Sequence, residues 1–182
     1  MSTRSIIAVA RGDGWEGVYC HMDGYPSGVG AQVWNGIEML RLEYEPGDLV
    51  KEFSWRYITQ HAYTYGYSQF NVNPFLCVRC EYEHGESASA TRWASFNEHE
   101  TNNALMIEWV YVISNTCLSI FTHARAEWNI LHTNNGHTWE EPRYQWVLVT
   151  QCVYEHGEPD WEVIEAQGQR IHQDYREKYH HI

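Results

Sequence analysis

Lysine is the scarcest charged residue of this chain, since 182 residues include only Lys51 and Lys178. Lysine and arginine together number 12 against 24 aspartates and glutamates, so the formal net charge is −12. A protein that binds nucleic acid directly displaces counterions from phosphates with its own cations, and this chain offers few. We therefore expect no direct nucleic-acid binding and favour a basic partner. An acidic surface that serves solubility alone is the alternative.

Long apolar runs are also missing. No stretch approaches the roughly 18 consecutive apolar residues that a membrane-spanning helix needs, so no membrane association is predicted. The N-terminus has no basic segment followed by an apolar core, which predicts no signal peptide. The five cysteines form no disulfide-scaffold pattern, and free thiols in a reducing cytoplasm are expected.

Aromatic residues are present in excess, with 13 tyrosines, 9 tryptophans and 5 phenylalanines. Some of them must fill the core, because leucine and isoleucine are few. Tyrosine and tryptophan combine a large contact area with a polar tip and are enriched at interfaces. An acidic, aromatic-rich surface is typical of a protein that binds another protein.

The hydrophobic pattern predicts a single α+β domain over residues 1–182, with an antiparallel sheet built from hairpins and two to three helices, including an N-terminal and a C-terminal helix. A helix capped by Ser27 carries apolar residues at helical spacing. The last helix begins at Asp160, with an apolar face of Val163, Ile164, Ile171, Tyr175 and Tyr179. A second helix is predicted at 48–61, a loop at 63–74 and a polar helical turn at 97–103. Strands are predicted at 5–11, 16–22, 75–82, 87–95, 105–113, 117–122, 128–132 and 144–153.

The stretch 17–30 is too dense in turn formers, aromatics and polar side chains for an ordinary connection. Gly28-Val29-Gly30 at a helix start offers backbone N–H groups to an anion, although no complete phosphate-binding fingerprint is present. The alternative is that the two glycines only let the helix pack closely on the hairpin. A small-ligand pocket here would be formed by Tyr19, His21, Asp23, Tyr25 and Gly28.

Neither catalysis nor metal binding is predicted, and no cofactor is expected. Cys20 and His21 are strand neighbours whose side chains point apart, so they form no nucleophile–base pair. Cys77 and Cys80 fall in a predicted strand and face opposite sides, which argues against a zinc site completed by His84, Cys152 and His156.

Acidic side chains gather in runs that have few compensating cations. Repeated carboxylates can imitate the phosphate spacing of nucleic acid and occupy an arginine-lined channel, although most charge runs are merely solvated faces. A first run spans 38–48. The two runs taken as candidate partner-binding residues are Glu81, Glu83, Glu86, Glu98 and Glu100, and Glu155, Glu158, Asp160, Glu162 and Glu165.

The opening Ser2-Thr-Arg-Ser-Ile-Ile-Ala-Val9, followed by Val18-Tyr-Cys-His-x-Asp-Gly-Tyr-Pro-x-x-Val-Gly30, resembles a family of small phage and prophage proteins. That family opens with Ser/Gly-Thr-Arg and continues with a Tyr-x-His-x-Asp-Gly-Tyr-Pro loop. The likeness is specific over about residues 2–30 and looser at 82–86 and 108–112.

Length, acidity and opening also resemble the anti-CRISPR inhibitors of type II-A Cas9. The resemblance implies a non-enzymatic protein in the host bacterial cytoplasm that binds host Cas9 loaded with guide RNA and inhibits target DNA binding or cleavage. Cas9 holds its nucleic acids in positively charged channels, which an acidic protein can enter. Two alternatives remain: a counter-defence protein that sequesters a nucleotide signalling molecule near residues 19–30, and a hydrolase that depends on His21 or Asp23.

Overall fold

The computed structural model describes residues 3–12, 14–20, 23–54, 91–93, 100–101 and 107–179. In this part of the chain the strands are β1 (Arg4–Arg11), β2 (Gly14–Cys20), β3 (Thr91–Trp93), β4 (Glu100–Thr101), β5 (Ile107–Ile113), β6 (Cys117–Asn134) and β7 (His137–Val153). The helices are α1 (Ala31–Glu43), α2 (Leu49–Phe53) and α3 (Trp161–Tyr179). Short helical turns lie at Pro26–Gly30, Pro46–Asp48 and Tyr154–His156.

The α+β class is confirmed, but the sheet is mixed and the prediction of an antiparallel sheet was wrong. The strand order is β3-β2-β1-β5-β6-β7-β4, and β1 runs parallel to β5. A parallel pair needs a long crossover, here the chain that contains β2, α1 and α2. Both strands are buried almost throughout, the continuous apolar pattern typical of parallel strands.

Side chains on both faces of the sheet are buried. On one face α1 and α3 cover the central strands, in a cluster that includes Trp34, Ile37, Trp109, Tyr111, Leu118, Ile120 and Ile164. The other face carries a smaller cluster of Ile6, Ala8, Trp15, Ile107, Val110, Val112 and Trp146. In the described core, four tryptophans, two tyrosines and Phe53 therefore fill space that leucine and isoleucine fill in most domains, and this uses part of the aromatic excess.

The longest elements are β6 and β7, which form one hairpin. The predicted strands at 117–122, 128–132 and 144–153 are parts of it, and the predicted interruption between 122 and 128 was wrong. Asn135 and Gly136 have φ of 50° and 79° at its tip, as a two-residue hairpin turn requires. The register shifts between Arg125 and Asn129, where 126–128 lie opposite the single position 143. We call the hairpin beyond this irregularity, residues 129–142, the arm.

Several local predictions were confirmed and others corrected. The β1–β2 hairpin, β5 and the start of α3 at Asp160 are as predicted. Ser27 is not a helix cap, since it lies inside the helical turn Pro26–Gly30, and neither that turn nor α1 has a side-chain cap hydrogen bond. Residues 100–101 form a strand within the predicted helical turn at 97–103.

Other predictions are covered only in part. Residues 91–93 confirm part of the strand predicted at 87–95. The loop at 63–74, the strand at 75–82 and the runs at 81–86 and 98 lie outside the described residues. The single domain over 1–182 stays a prediction. Within the residues described, none of the helices is both long enough and apolar enough to cross a lipid bilayer.

Candidate functional site

The loop that the sequence singles out is tied to the sheet by its backbone. Gly24 N–H donates to the Thr3 carbonyl at 3.0 Å, and the buried Tyr111 hydroxyl donates to the Gly24 carbonyl at 2.7 Å. A Cβ on Gly24 would lie 2.8 Å from the backbone of Arg4, so no larger residue fits. Asp23 precedes it with φ of 53°, a left-handed conformation that aspartate tolerates better than most residues. These contacts fix residues 23 and 24 against β1 and β5.

Backbone donors at the start of α1 are used within the loop itself. Gly28 N–H and Gly30 N–H both point to the Tyr25 carbonyl, at 3.0 Å and 3.4 Å. Val29 N–H donates to the Asp23 carbonyl at 3.0 Å, and Ala31 N–H to carbonyls of the same turn. These groups are therefore not available to an anion, and the phosphate-binding interpretation of Gly28-Val29-Gly30 was wrong.

The alternative, that these glycines let the helix pack closely on the hairpin, is right about the close packing but wrong about the partner, since the contacts are with the loop itself, β5 and α3. A Cβ on Gly28 would collide with the Asp23 carbonyl oxygen. A Cβ on Gly30 would lie 3.0 Å from the Tyr111 ring and 3.1 Å from the Trp161 indole. Both positions therefore need glycine for contact within the protein.

The five predicted pocket residues are only partly described. Asp23 and Tyr25 are half-buried and Gly28 is buried, all within one turn. Tyr19 pairs with Ile6 in the β1–β2 ladder. The side chain of Tyr19 and the whole of His21 lie outside the described residues. The pocket stays a prediction, without the backbone donors that motivated a nucleotide ligand.

Helix α3 brings the third acidic run to this loop. The Ser27 hydroxyl donates to Glu165 Oε2 at 2.8 Å, a bond between residues 138 positions apart in the chain. Trp161, at the first position of α3, packs on Gly30 and lies 6.3 Å from the Trp34 ring. The loop thus contacts α3 at Glu165 and Trp161. We call the five acidic residues at and before the start of α3 the acidic corner: Glu155, Glu158, Asp160, Glu162 and Glu165.

Three carboxylates of the acidic corner have structural roles. Asp160 Oδ1 accepts the Val163 N–H at 3.1 Å and caps α3, where a negative charge also meets the positive end of the helix dipole. Glu158 Oε1 accepts the Trp161 indole N–H at 2.9 Å, and Glu165 holds Ser27. Glu155 and Glu162 are exposed and take part in none of these three hydrogen bonds. Their charge can therefore change while all three bonds stay intact.

Arg41 of α1, which contacts Tyr154 beside the corner, forms its ion pair with Glu38. Arg41 Nη1 contacts Glu38 Oε1 at 2.6 Å and donates to the Tyr154 carbonyl at 3.2 Å. Its guanidinium also lies 5.2 Å from the centre of the Tyr154 ring. Among the described residues, the ion pairs are Arg41–Glu38 and Lys51–Glu52, and neither includes a corner carboxylate. Among the residues that the structure describes, no cation therefore pairs with a carboxylate of the corner.

The titratable groups beside the corner are held neutral. Burial, with the nearby Cys117 thiol, raises the pKa of Cys152 to about 11, so its thiol stays protonated at neutral pH. Burial also raises the pKa of Tyr154 well above its usual range, while its hydroxyl donates to the Ser114 carbonyl at 3.0 Å. A protonated thiol is a poor nucleophile. No set of three His, Cys, Asp or Glu side chains in the described ranges could hold a metal ion.

Of the predicted acidic run at 81–100, the structure describes only Glu100, which pairs with Gln145 in the β4–β7 ladder. The side chain of Glu100 lies outside the described residues. Sequence reasoning identified the corner's carboxylates but missed Ser27, Trp161 and Tyr154 as the contacts that position it.

No protein-family model, curated protein or solved structure matches this chain.

Proposed function

We propose that this protein is a non-enzymatic, stoichiometric inhibitor that binds Cas9 loaded with guide RNA and hinders target DNA binding or cleavage. The observation that carries the proposal is the acidic corner, where four of the five carboxylates are exposed at or shortly before the start of α3 and none has an ion pair among the described residues. The net charge of −12 and the resemblance of the opening residues support the same partner.

Part of the charge of the corner is held in place. Glu158 and Asp160, which hydrogen-bond at the start of α3, lose less side-chain freedom on binding than Glu155 and Glu162, which project from exposed positions. Long-range attraction between a −12 protein and a cationic channel accelerates association, and added salt screens it. Binding should therefore weaken as ionic strength rises, chiefly through a slower association rate.

The first experiment measures the complex itself. Purified protein is titrated onto immobilised guide-loaded type II-A Cas9 over a series of salt concentrations, and target DNA cleavage is followed in parallel. We expect a complex whose dissociation constant rises with salt, and loss of cleavage near equimolar inhibitor. Absence of a complex together with undiminished cleavage would overturn the proposal.

A charge-matched pair of variants tests the corner. Glu155→Gln with Glu162→Gln removes two charges from exposed positions. Because each exposed charge contributes up to about 1 kcal/mol, we expect association to weaken about three- to tenfold and the salt dependence to become shallower. Glu155→Asp with Glu162→Asp keeps both charges and serves as the control. Equal loss in both double variants would contradict an electrostatic role.

A further inference from the structure

Among the described strands, none outside the β6–β7 hairpin pairs with the arm. In this part of the chain β5 pairs with β6 as far as Thr122, and β4 pairs with β7 at Tyr144 and Gln145. Beyond the irregularity at 126–128, the described pairings are those between the two strands of the arm, from Asn129–Pro142 to Asn134–His137. Two-stranded hairpins are marginally stable in water without a surface to cover them. Such an extension therefore gains most when a partner encloses it.

Both faces of the arm expose an apolar side chain. Leu131 is 64% exposed and Trp139 is 48% exposed. Leu131 lies opposite Glu140 and Trp139 lies opposite His132, and residues directly opposite each other share a face. Leu131 and Trp139 are therefore on opposite faces. A partner that covers only one face would leave the other apolar side chain in water, whereas a groove covers both.

The charge of the arm favours a basic groove over a second copy. Residues 129–142 include Glu140 and Glu141 but no lysine or arginine, and the turn at 133–138 carries no formal charge. Two arms laid together would bring like charges close, which disfavours association. A groove lined by arginine or lysine would instead attract the glutamates while the neutral turn enters first.

We propose that the arm inserts into a basic protein groove of the guide-loaded nuclease, with Trp139 as its main apolar anchor and Leu131 as the contact on the other face. This inference rests on the proposed function and assigns it a second contact apart from the acidic corner. Aromatic anchors that become fully enclosed are the residues that most often dominate an interface.

The test compares exposed residues of the same strand. Trp139→Ala changes the anchor, and Leu148→Ala is the matched control, since Leu148 is 46% exposed on β7 outside the arm. A third variant lacks 130–133 and 138–141, which shortens the arm by an even number of residues and keeps the Asn134–His137 turn. Binding to guide-loaded Cas9 is measured at one salt concentration, with sedimentation velocity of each free protein.

We expect Trp139→Ala to weaken binding about tenfold or more, the shortened arm at least as much, and Leu148→Ala less than about twofold. If the wild-type protein binds and all three variants bind equally well, the arm proposal fails while the proposed function stands. If the wild-type protein does not bind, both fail. A wild-type dimer that becomes a monomer when the arm is shortened would assign the arm to self-association and overturn the inference.

Discussion

Gly168 is the point where α3 crosses the indole of Trp109 on β5, and one added methyl group there tests how the helix is held. A Cβ on Gly168 would lie 2.8 Å and 2.9 Å from Cζ3 and Cζ2 of the Trp109 ring, closer than carbon atoms pack. Trp109 is only 3% exposed and belongs to the main core cluster. Its ring therefore has no open space into which it can swing.

Two opposing effects decide the sign for Gly168→Ala. Alanine favours a helix over glycine by about 1 kcal/mol, which would stabilise α3 at an exposed position. Extra volume in a packed core costs about 1–3 kcal/mol, and here it falls on a rigid aromatic ring. We expect the packing cost to win, with a net loss of up to about 2 kcal/mol in the free energy of unfolding. For a chain of this size each kcal/mol lowers Tm by roughly 2–4 °C.

The assay is urea and thermal unfolding of Gly168→Ala, Trp109→Phe and the double variant. Phenylalanine lacks the outer indole atoms that the new methyl would meet, so Gly168→Ala should cost less in that background and the two changes should not add. Ala166→Gly, at an exposed position of α3, is the control for helix propensity and should lose about 1 kcal/mol. A higher Tm for Gly168→Ala alone, or the same effect in both backgrounds, would refute the packing argument.

Three further changes test other parts of the fold. Tyr111→Phe should lower the free energy of unfolding by about 1–2 kcal/mol, because the buried Gly24 carbonyl loses its hydroxyl donor, and an unchanged urea midpoint would contradict this. Gly136→Ala adds a Cβ that meets nothing within 4 Å, so only the φ of 79° costs energy, about 1–2 kcal/mol. Hydrogen exchange should become faster in the arm, and unchanged exchange would disprove the assigned turn. The raised pKa of Cys152, from 9.0 to about 11, favours the protonated folded state, so its stability contribution is complete below pH 9 and is lost between pH 9 and 11. Cys152→Ala should make the fall in stability over that range shallower by roughly 2–3 kcal/mol, and identical pH profiles would exclude the effect.

Local chemistry was enough to predict the hairpins. Asn135-Gly136 and Gly12 are turn residues whose backbone preferences act over a few positions, and both turns are where the sequence predicts them. Strand partners depend on contacts distant in sequence, so the parallel pairing of β1 with β5 was not predicted. The sequence did contain a signal for the parallel pair. Residues 6–9 and 110–113 are continuous apolar runs, without the alternating polar positions of a strand that has one face in water.

The face of α3 shows the same limit. Val163 was assigned to the buried face, yet it is 51% exposed, while Ile164 is buried as predicted. Among the α3 side chains that the structure describes, those of 161–172, Gly168 is buried as well as Ile164, and Trp161 and Ile171 are half-buried. A glycine inside a helix often marks a close approach of another element. Gly168 therefore indicates such an approach from the sequence, but the sequence does not indicate that Trp109 is the residue it contacts.

The loop at 23–30 acts on the acidic corner through packing. Its glycines and carbonyls contact β1, β5 and its own turn, and Ser27 and Gly30 contact α3 directly. Loop substitutions and charge substitutions should therefore differ in how salt changes their effect. Ser27→Ala leaves every carboxylate charged, so any loss of binding should be the same at all salt concentrations. Glu155→Gln with Glu162→Gln removes charge, so its loss should shrink as salt rises. Parallel salt dependence in both variants would mean that the loop contributes to the binding surface itself.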